Sequence, residues 1–306
     1  MDNFLQFELW KDCNNRCAFC FNDNSATSAA RKLERLAFVK KELTNNLPDE
    51  VDTIGFIGGE FFDGQLETEE LFSTFIDVIN LALNTDSIKK VLITSSLIFR
   101  NGNQHLKSVL LRLTKREKLM LCTSWDTKYR FHTEDAQKGW ENTIKLLHEL
   151  FPEVRLHVEI CPTQWHLEDV LADKFNIAAF ENKYGVRVDY TDLNSGFNYR
   201  DKYEFQQHVP GFFPKRETFL RFLNKVYGEG QARADQFLNY GNMSTLLWME
   251  VDGKYQLFKG YRGPVQGDDV DENYPLPPMH ETKSDYIDSH VRMRADVLNV
   301  WEEING

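Results

Sequence analysis

No stretch of this 306-residue chain is apolar for the roughly 20 residues that a membrane-spanning helix needs. The N-terminus, Met1-Asp2-Asn3, has neither the basic start nor the apolar core of a secretory signal. Cysteine is sparse and odd in number: there are five, and none follows Cys161. That speaks against a disulfide framework and for a reducing, cytoplasmic setting. Positive charge is in deficit, with 36 Lys and Arg against 47 Asp and Glu and a net charge of −11. Extended contact with a nucleic-acid backbone is therefore disfavoured, although a nucleotide or one base held in a pocket is not. No internal repeat of fixed period and no low-complexity tract is present.

What is present is material for a large core, 42% hydrophobic and rich in phenylalanine. Strand-like and helix-like stretches alternate through the first two thirds. The pattern predicts strands near residues 4–10, 53–57, 91–95, 119–124, 155–161 and 186–191. Helices are expected near 27–46, 67–84, 104–116, 134–150 and 166–184. Six β-then-α units in succession imply an α/β fold with a parallel sheet and right-handed crossovers. Function on such a sheet gathers at the C-terminal ends of the strands. After residue 195 the pattern changes. A helix is expected near 216–239 and a hairpin over 246–258 around Asp252-Gly253. An acidic, proline-containing loop near 263–285 and a terminal helix near 284–303 follow.

The first strand runs into Cys13-Asn14-Asn15-Arg16-Cys17-Ala18-Phe19-Cys20, three cysteines at spacing C-x3-C-x2-C. Soft thiolates select an iron–sulfur cluster or zinc, and a closed zinc site would want a fourth ligand. Three thiolates leave one iron of a four-iron cluster free to bind something else. The motif resembles the signature of the radical S-adenosylmethionine (SAM) superfamily. The resemblance implies that Cys13, Cys17 and Cys20 hold one 4Fe–4S cluster. It also implies that the open iron chelates SAM, that an external flavodoxin- or ferredoxin-like donor supplies an electron, and that SAM is cleaved to a 5′-deoxyadenosyl radical. Phe19 takes the aromatic position that lies against the adenine.

Further motifs extend the resemblance over about residues 4–195. Gly58-Gly59-Glu60, closing the second strand, resembles the GGE motif that receives SAM's amino group, with Phe61 where proline is usual. A carboxylate suits an ammonium, and two glycines allow close backbone approach. Thr123-Ser124-Trp125-Asp126 resembles the Ser-x-Asp region, which makes Ser124 a ribose contact. Asp126 and Arg130 are further candidates there, with capping and neutralising of the loop as the alternative. The backbone near Cys161 to Thr163 is expected to approach the adenine. The resemblance implies a partial (β/α)6 barrel over residues 1–195, and residues 196–306 then form an α+β cap. The hairpin resembles the start of a SPASM/twitch extension, but without cysteines it carries no second cluster.

Strand alternation gives an independent reading. Leu5, Phe7 and Leu9, then Leu156, Val158 and Ile160, and then Val186 and Val188 share faces suited to helices. Gln6, Glu8, His157, Glu159, Cys161, Thr163, Arg187, Asp189 and Thr191 then face the barrel interior. Such a polar lumen needs pairing or a ligand. Glu159 and Asp189, near the strand ends, are the candidate catalytic or substrate-contacting acids. Cys122 and Cys161 share the inward parity. Cys161 is a candidate hydrogen-atom donor, and a buried small hydrophobe is the plainer reading of both. The expected substrate is a small polar metabolite or a modified nucleoside, with a peptide side chain as the alternative. A non-catalytic iron–sulfur or zinc module is the competing class.

Overall fold

The computed structural model describes residues 3–15, 17, 26–47, 49, 51–131, 133–190, 216–227, 245–249 and 255–257. Six parallel strands follow one another in sequence order: β1 (Asn3–Glu8), β2 (Thr53–Ile57), β3 (Lys90–Thr94), β4 (Leu119–Ser124), β5 (Arg155–Ile160) and β6 (Arg187–Tyr190). Each pairs in parallel with its successor, the order of a β/α barrel left open. Two further strands, β7 (Thr245–Met249) and β8 (Tyr255–Leu257), lie on the other side of β1. The expected hairpin therefore does not stand apart from the barrel. Its first strand pairs in parallel with β1, and β8 pairs antiparallel with β7. The expected acidic loop and terminal helix lie outside the described residues.

The helices form where the periodicity placed them. They are α1 (Ala29–Asn45), α2 (Glu69–Asn84), α3 (Gln104–Arg112) and α4 (Glu134–Leu150). The side chains of Ser28, Thr68 and Thr133 cap the first, second and fourth by accepting a backbone N–H three residues on. One long helix near 166–184 is not what forms. The segment splits into α5 (Gln164–Leu171) and α6 (Ile177–Tyr184). Asp173 sits at φ 57°, which ends α5, and Asn176 starts a new helix by accepting from Ala179 N. Helix α7 (Arg216–Tyr227) packs on α5, and residues 228–239 of the expected helix lie outside the described residues.

Alternation sorts the sheet as its sequence requires. Leu5, Phe7, Leu9, Ile54, Phe56, Val91, Ile93, Leu121, Val158 and Ile160 are buried under the helices. Each such side chain contributes about 1.5–3 kcal/mol. Two aromatic groups complete this layer. Trp10, Phe61 and Phe75 pack together beneath α2, which explains why Phe61 follows the glycine motif. Trp125, Phe131, Trp140 and Phe180 pack together beneath α4 and α6. The opposite face carries Gln6, Glu8, Thr94, Ser124, His157, Glu159, Arg187 and Asp189, all partly or largely exposed. That polar face is the side on which a ligand can be met.

Candidate functional site

The backbone ladder between β1 and β2 continues past the ends of both strands. Leu9 N donates to Ile57 O, Gly59 N to Trp10 O and Glu60 N to Asp12 O, at 3.0, 2.7 and 2.8 Å. Residues 9–12 are thus carried to the edge of the cysteine loop along the Gly58-Gly59 turn. A Cβ on Gly58 would lie 2.2 Å from Trp10 O, and one on Gly59 would lie 1.8 Å from Asp12 O. The neighbouring chain alone therefore demands both glycines, whatever a ligand asks of them.

Three sets of contacts hold the cysteine loop. Asn14 donates to the Asp63 carbonyl and carboxylate, both at 2.9 Å, and Arg100 reaches the Asn14 carbonyl at 2.6 Å. Asn15 donates to Ser96 Oγ at 2.9 Å. On the far side, both oxygens of Asp12 accept the N–H of Thr27, at 3.1 and 3.0 Å. Asp12 also faces Lys32 Nζ at 3.4 Å. Lys32 is fully buried yet paired, since Glu67 and the Gln65 carbonyl, each at 3.1 Å, complete its shell. The start and the exit of the loop are thereby clamped together. None of these partners was singled out by sequence. The Asn pair inside C-x3-C is a polar signal, but Lys32 sits on α1 like any surface lysine.

Cys13 and Cys17 are partly accessible on this loop. Cys20 and Phe19 lie outside the described residues. Among the described residues, no group of three His, Cys, Asp or Glu is arranged to hold a metal. The donor set nonetheless fits an iron–sulfur cluster in kind. It is thiol only, and it has a cation beside it, because Arg130 Nη1 lies 3.9 Å from Cys17 Sγ.

Arg130 reaches this thiol from the opposite half of the sheet. It also donates to Ser124 Oγ at 2.5 Å, and it is 8% exposed with Nε lacking any hydrogen-bond partner. The turn that delivers it is shaped by Asp126, which accepts the N–H groups of Tyr129 and Lys128. Burial raises the Asp126 pKa, and those N–H bonds oppose the rise. Asp126 is thus bonded within its own loop.

Glu60 is fully buried. Its carboxylate accepts from Phe62 N and Ser95 Oγ on Oε1, and from Ser95 Oγ and Ser96 N on Oε2. Burial raises its pKa, opposed by these donors. On β5 and β6, Glu159 and Asp189 stand at paired register positions, with Ser124 beside Glu159 on β4. Burial and the Asp189 charge lift the Glu159 carboxyl to about 7. Asp189 lies 3.5 Å from His157 Nε2 and 3.6 Å from Arg187 Nε. Cys122, one layer below, is buried, and desolvation carries its thiol well above the usual range.

Cys161 is partly accessible just beyond β5. Thr163 corrects the alternation argument. The strand ends at Ile160, and Thr163 is fully buried as the cap of α5, accepting from His166 N at 3.3 Å. Period-two parity does not extend past the end of the strand, so alternation does not place its side chain.

No family model matches the chain, and no curated protein does. Among solved structures it is similar to SuiB of Streptococcus suis bound to S-adenosylmethionine. The TM-score is 0.43 and the identity 16%, over 83% of this chain and 58% of that one. For anSMEcpe with bound AdoMet the TM-score is 0.47 and the identity 15%, over 78% and 62%. For the methylornithine synthase PylB the values are 0.43 and 14%, over 97% and 82%. The chain thus spans about three-fifths of SuiB's length, 58%. Likenesses of this extent specify neither activity nor ligand, so the chain's own residues carry the functional reading.

Proposed function

We propose that the chain is a radical SAM enzyme whose cluster is held by Cys13, Cys17 and Cys20. The observation that carries this reading is the convergence on the cysteine loop. Residues from the ends of β1, β2 and β3 strap the loop in place, and Arg130 arrives from the end of β4 at one of its thiols. When bound, the cluster would supply one electron for reductive cleavage of SAM to methionine and a 5′-deoxyadenosyl radical.

The chain's own residues then bind, orient and shield. Arg130, a buried cation with an unpartnered N–H, suits SAM's carboxylate. The turn at Gly58-Gly59-Glu60 spends the N–H groups of Gly59 and Glu60 on the neighbouring chain. Its carbonyls have the polarity an ammonium needs. Ser124, bonded to Arg130, is assigned to the ribose, Phe19 to the adenine, and backbone near Cys161 to Thr163 to the adenine edge. Asp126 keeps the turn that aims Arg130.

Glu159 and Asp189 are assigned to the substrate, with Glu159 able to hold or release a proton near neutrality. Cys161 stands at the same rim as a hydrogen-atom donor. A face with His157, Arg187 and two carboxyls favours a small polar metabolite or a nucleoside. Holding the reacting carbon against one C–H bond, with water excluded, provides the selectivity.

The test is anaerobic incubation of reconstituted protein with SAM, a reductant and a deuterated metabolite extract, followed by mass analysis of 5′-deoxyadenosine. Deuterium arriving from a polar metabolite or nucleoside supports the reading. Deuterium arriving only from labelled peptide moves the substrate to a protein side chain. A loaded protein that never cleaves SAM would be a non-catalytic metal module.

A further inference from the structure

The GGE resemblance directs the Glu60 side chain at SAM's ammonium, but its surroundings point it elsewhere. A carboxylate has about four acceptor directions, and three donors face this one, the Ser95 hydroxyl lying between both oxygens. They are Phe62 N at 3.1 Å, Ser95 Oγ at 2.9 and 3.1 Å, and Ser96 N at 2.5 Å. The side chain is fully buried. An ammonium could reach it only by opening this buried cluster and disturbing the donors already bonded there.

What Glu60 fixes is the bend beyond β3. Ser96 is held through its N–H by Glu60, and its hydroxyl donates to Ile98 O at 3.1 Å while accepting from Ile98 N, also at 3.1 Å. That same hydroxyl accepts the Asn15 amide at 2.9 Å. Asn15 lies between Cys13 and Cys17. A continuous path therefore runs from Glu60 through Ser96 and Asn15 into the thiol loop. A second strap, from Asn14 to Asp63, does not pass through Glu60.

We infer that Glu60 is a positioning residue for the cysteine loop, acting through Ser96 and Asn15, and not a side-chain contact of SAM. The inference rests on the reading of Cys13, Cys17 and Cys20 as cluster ligands. Partners beyond the first shell commonly set ligand orientation in metal sites. Replacing Glu60 by Gln keeps the volume but turns an acceptor into an NH2 group facing Ser96 N–H and Ser95.

The test compares reconstituted wild type with Glu60→Gln, Asn15→Ala and Glu60→Gln/Asn15→Ala. Iron and sulfide content, the rate of iron loss to a chelator and the electron paramagnetic resonance of the reduced cluster are read before SAM is added. SAM affinity is read separately. Glu60→Gln is expected to speed iron loss by about tenfold, the factor that goes with one charge-assisted bond, and to alter the SAM-free signal. Asn15→Ala is expected to do the same, and the double variant to add little, because both act on one path. A Glu60→Gln protein with wild-type iron retention and signal but weakened SAM binding would overturn the inference. If Glu60→Gln does not fold, Ser96→Ala and Asn15→Ala carry the same test, and wild-type iron retention in both overturns it. A wild-type chain that takes up no cluster defeats the underlying reading instead.

Discussion

The strand ends of β1 to β3 and those of β4 to β6 handle their polar groups in opposite ways. In the first half, Asp12, Asn14, Asn15, Lys32, Glu60, Asp63 and Ser96 are bonded to one another or to backbone, the indole N–H of Trp10 in the aromatic layer being an exception. In the second, Arg130 buries an N–H with no partner, and Glu159 is held near neutrality by burial and Asp189. Buried polar groups are ordinarily satisfied. A half whose charged and amide groups are paired is a scaffold, and one that keeps charged capacity in reserve is built to meet a ligand. Damage to the first half should therefore appear as lost stability and lost iron. Damage to the second should appear as lost binding.

The largest effect is expected at Gly59→Ala, whose new Cβ would meet Asp12 O at 1.8 Å. Forcing the two chains apart should cost at least about 3 kcal/mol in chemical denaturation, at the upper end for overpacking. Gly139→Ala on α4 sharpens the contrast, because nothing lies within 4 Å of its added Cβ. That variant should gain about 0.5–1 kcal/mol of helix stability. Equal losses at both glycines would contradict the close-approach argument.

Next comes Lys32→Met. It strands the buried side of Asp12, and breaking such a pair costs about 3 kcal/mol or more. The loop clamp goes with it, so iron retention should fall alongside the denaturation midpoint. A stable protein that loads iron normally would remove the clamp from the account.

Arg130→Leu should behave in the opposite sense. Stability should change by less than about 1 kcal/mol, because an imperfectly satisfied buried charge is exchanged for an apolar side chain. SAM affinity, measured by calorimetry, should fall about tenfold or more through loss of a charge-assisted partner. Unchanged affinity would leave Arg130 as a structural group only.

The smallest effect is a pH dependence. Glu159 is raised from 4.5 to about 7. Its stabilising contribution is therefore complete below 4.5 and is lost as pH rises through about 7. His166 runs the other way. Burial lowers it from 6.5 to about 4, so its contribution is present above 6.5 and is lost as pH falls toward 4. Glu159→Gln should remove the decline in stability toward neutral pH and keep the loss on acidification. Denaturation midpoints from pH 4.5 to 8 that fall in parallel with wild type would show that Glu159 does not titrate there.

Much of the scaffold was legible in the sequence, because period-two and helical patterns report directly on which face is buried. Val158 and Ile160 announce the helix side of β5, and Glu159 the other. The break between α5 and α6 was not legible, since it rests on a left-handed Asp173 and a cap at Asn176 inside a helix-compatible run. Nor was the role of Thr163, because alternation says nothing past the last strand residue. The C-x3-C-x2-C spacing is visible as a motif, but the groups that hold it are not. Asp63 and Ser96 lie 49 and 81 residues from the asparagines they bind, a separation that no local pattern encodes.

The most direct test of the central reading is to reconstitute the chain anaerobically with iron and sulfide, add SAM and dithionite, and quantify metal and 5′-deoxyadenosine together. The account predicts about four iron and four sulfide per chain, the content of one such cluster. It also predicts 5′-deoxyadenosine that depends on both SAM and reductant, with both signals lost in the Cys13/Cys17/Cys20 triple alanine variant. Tightly held zinc in place of iron, or a full iron complement with no 5′-deoxyadenosine, would contradict it.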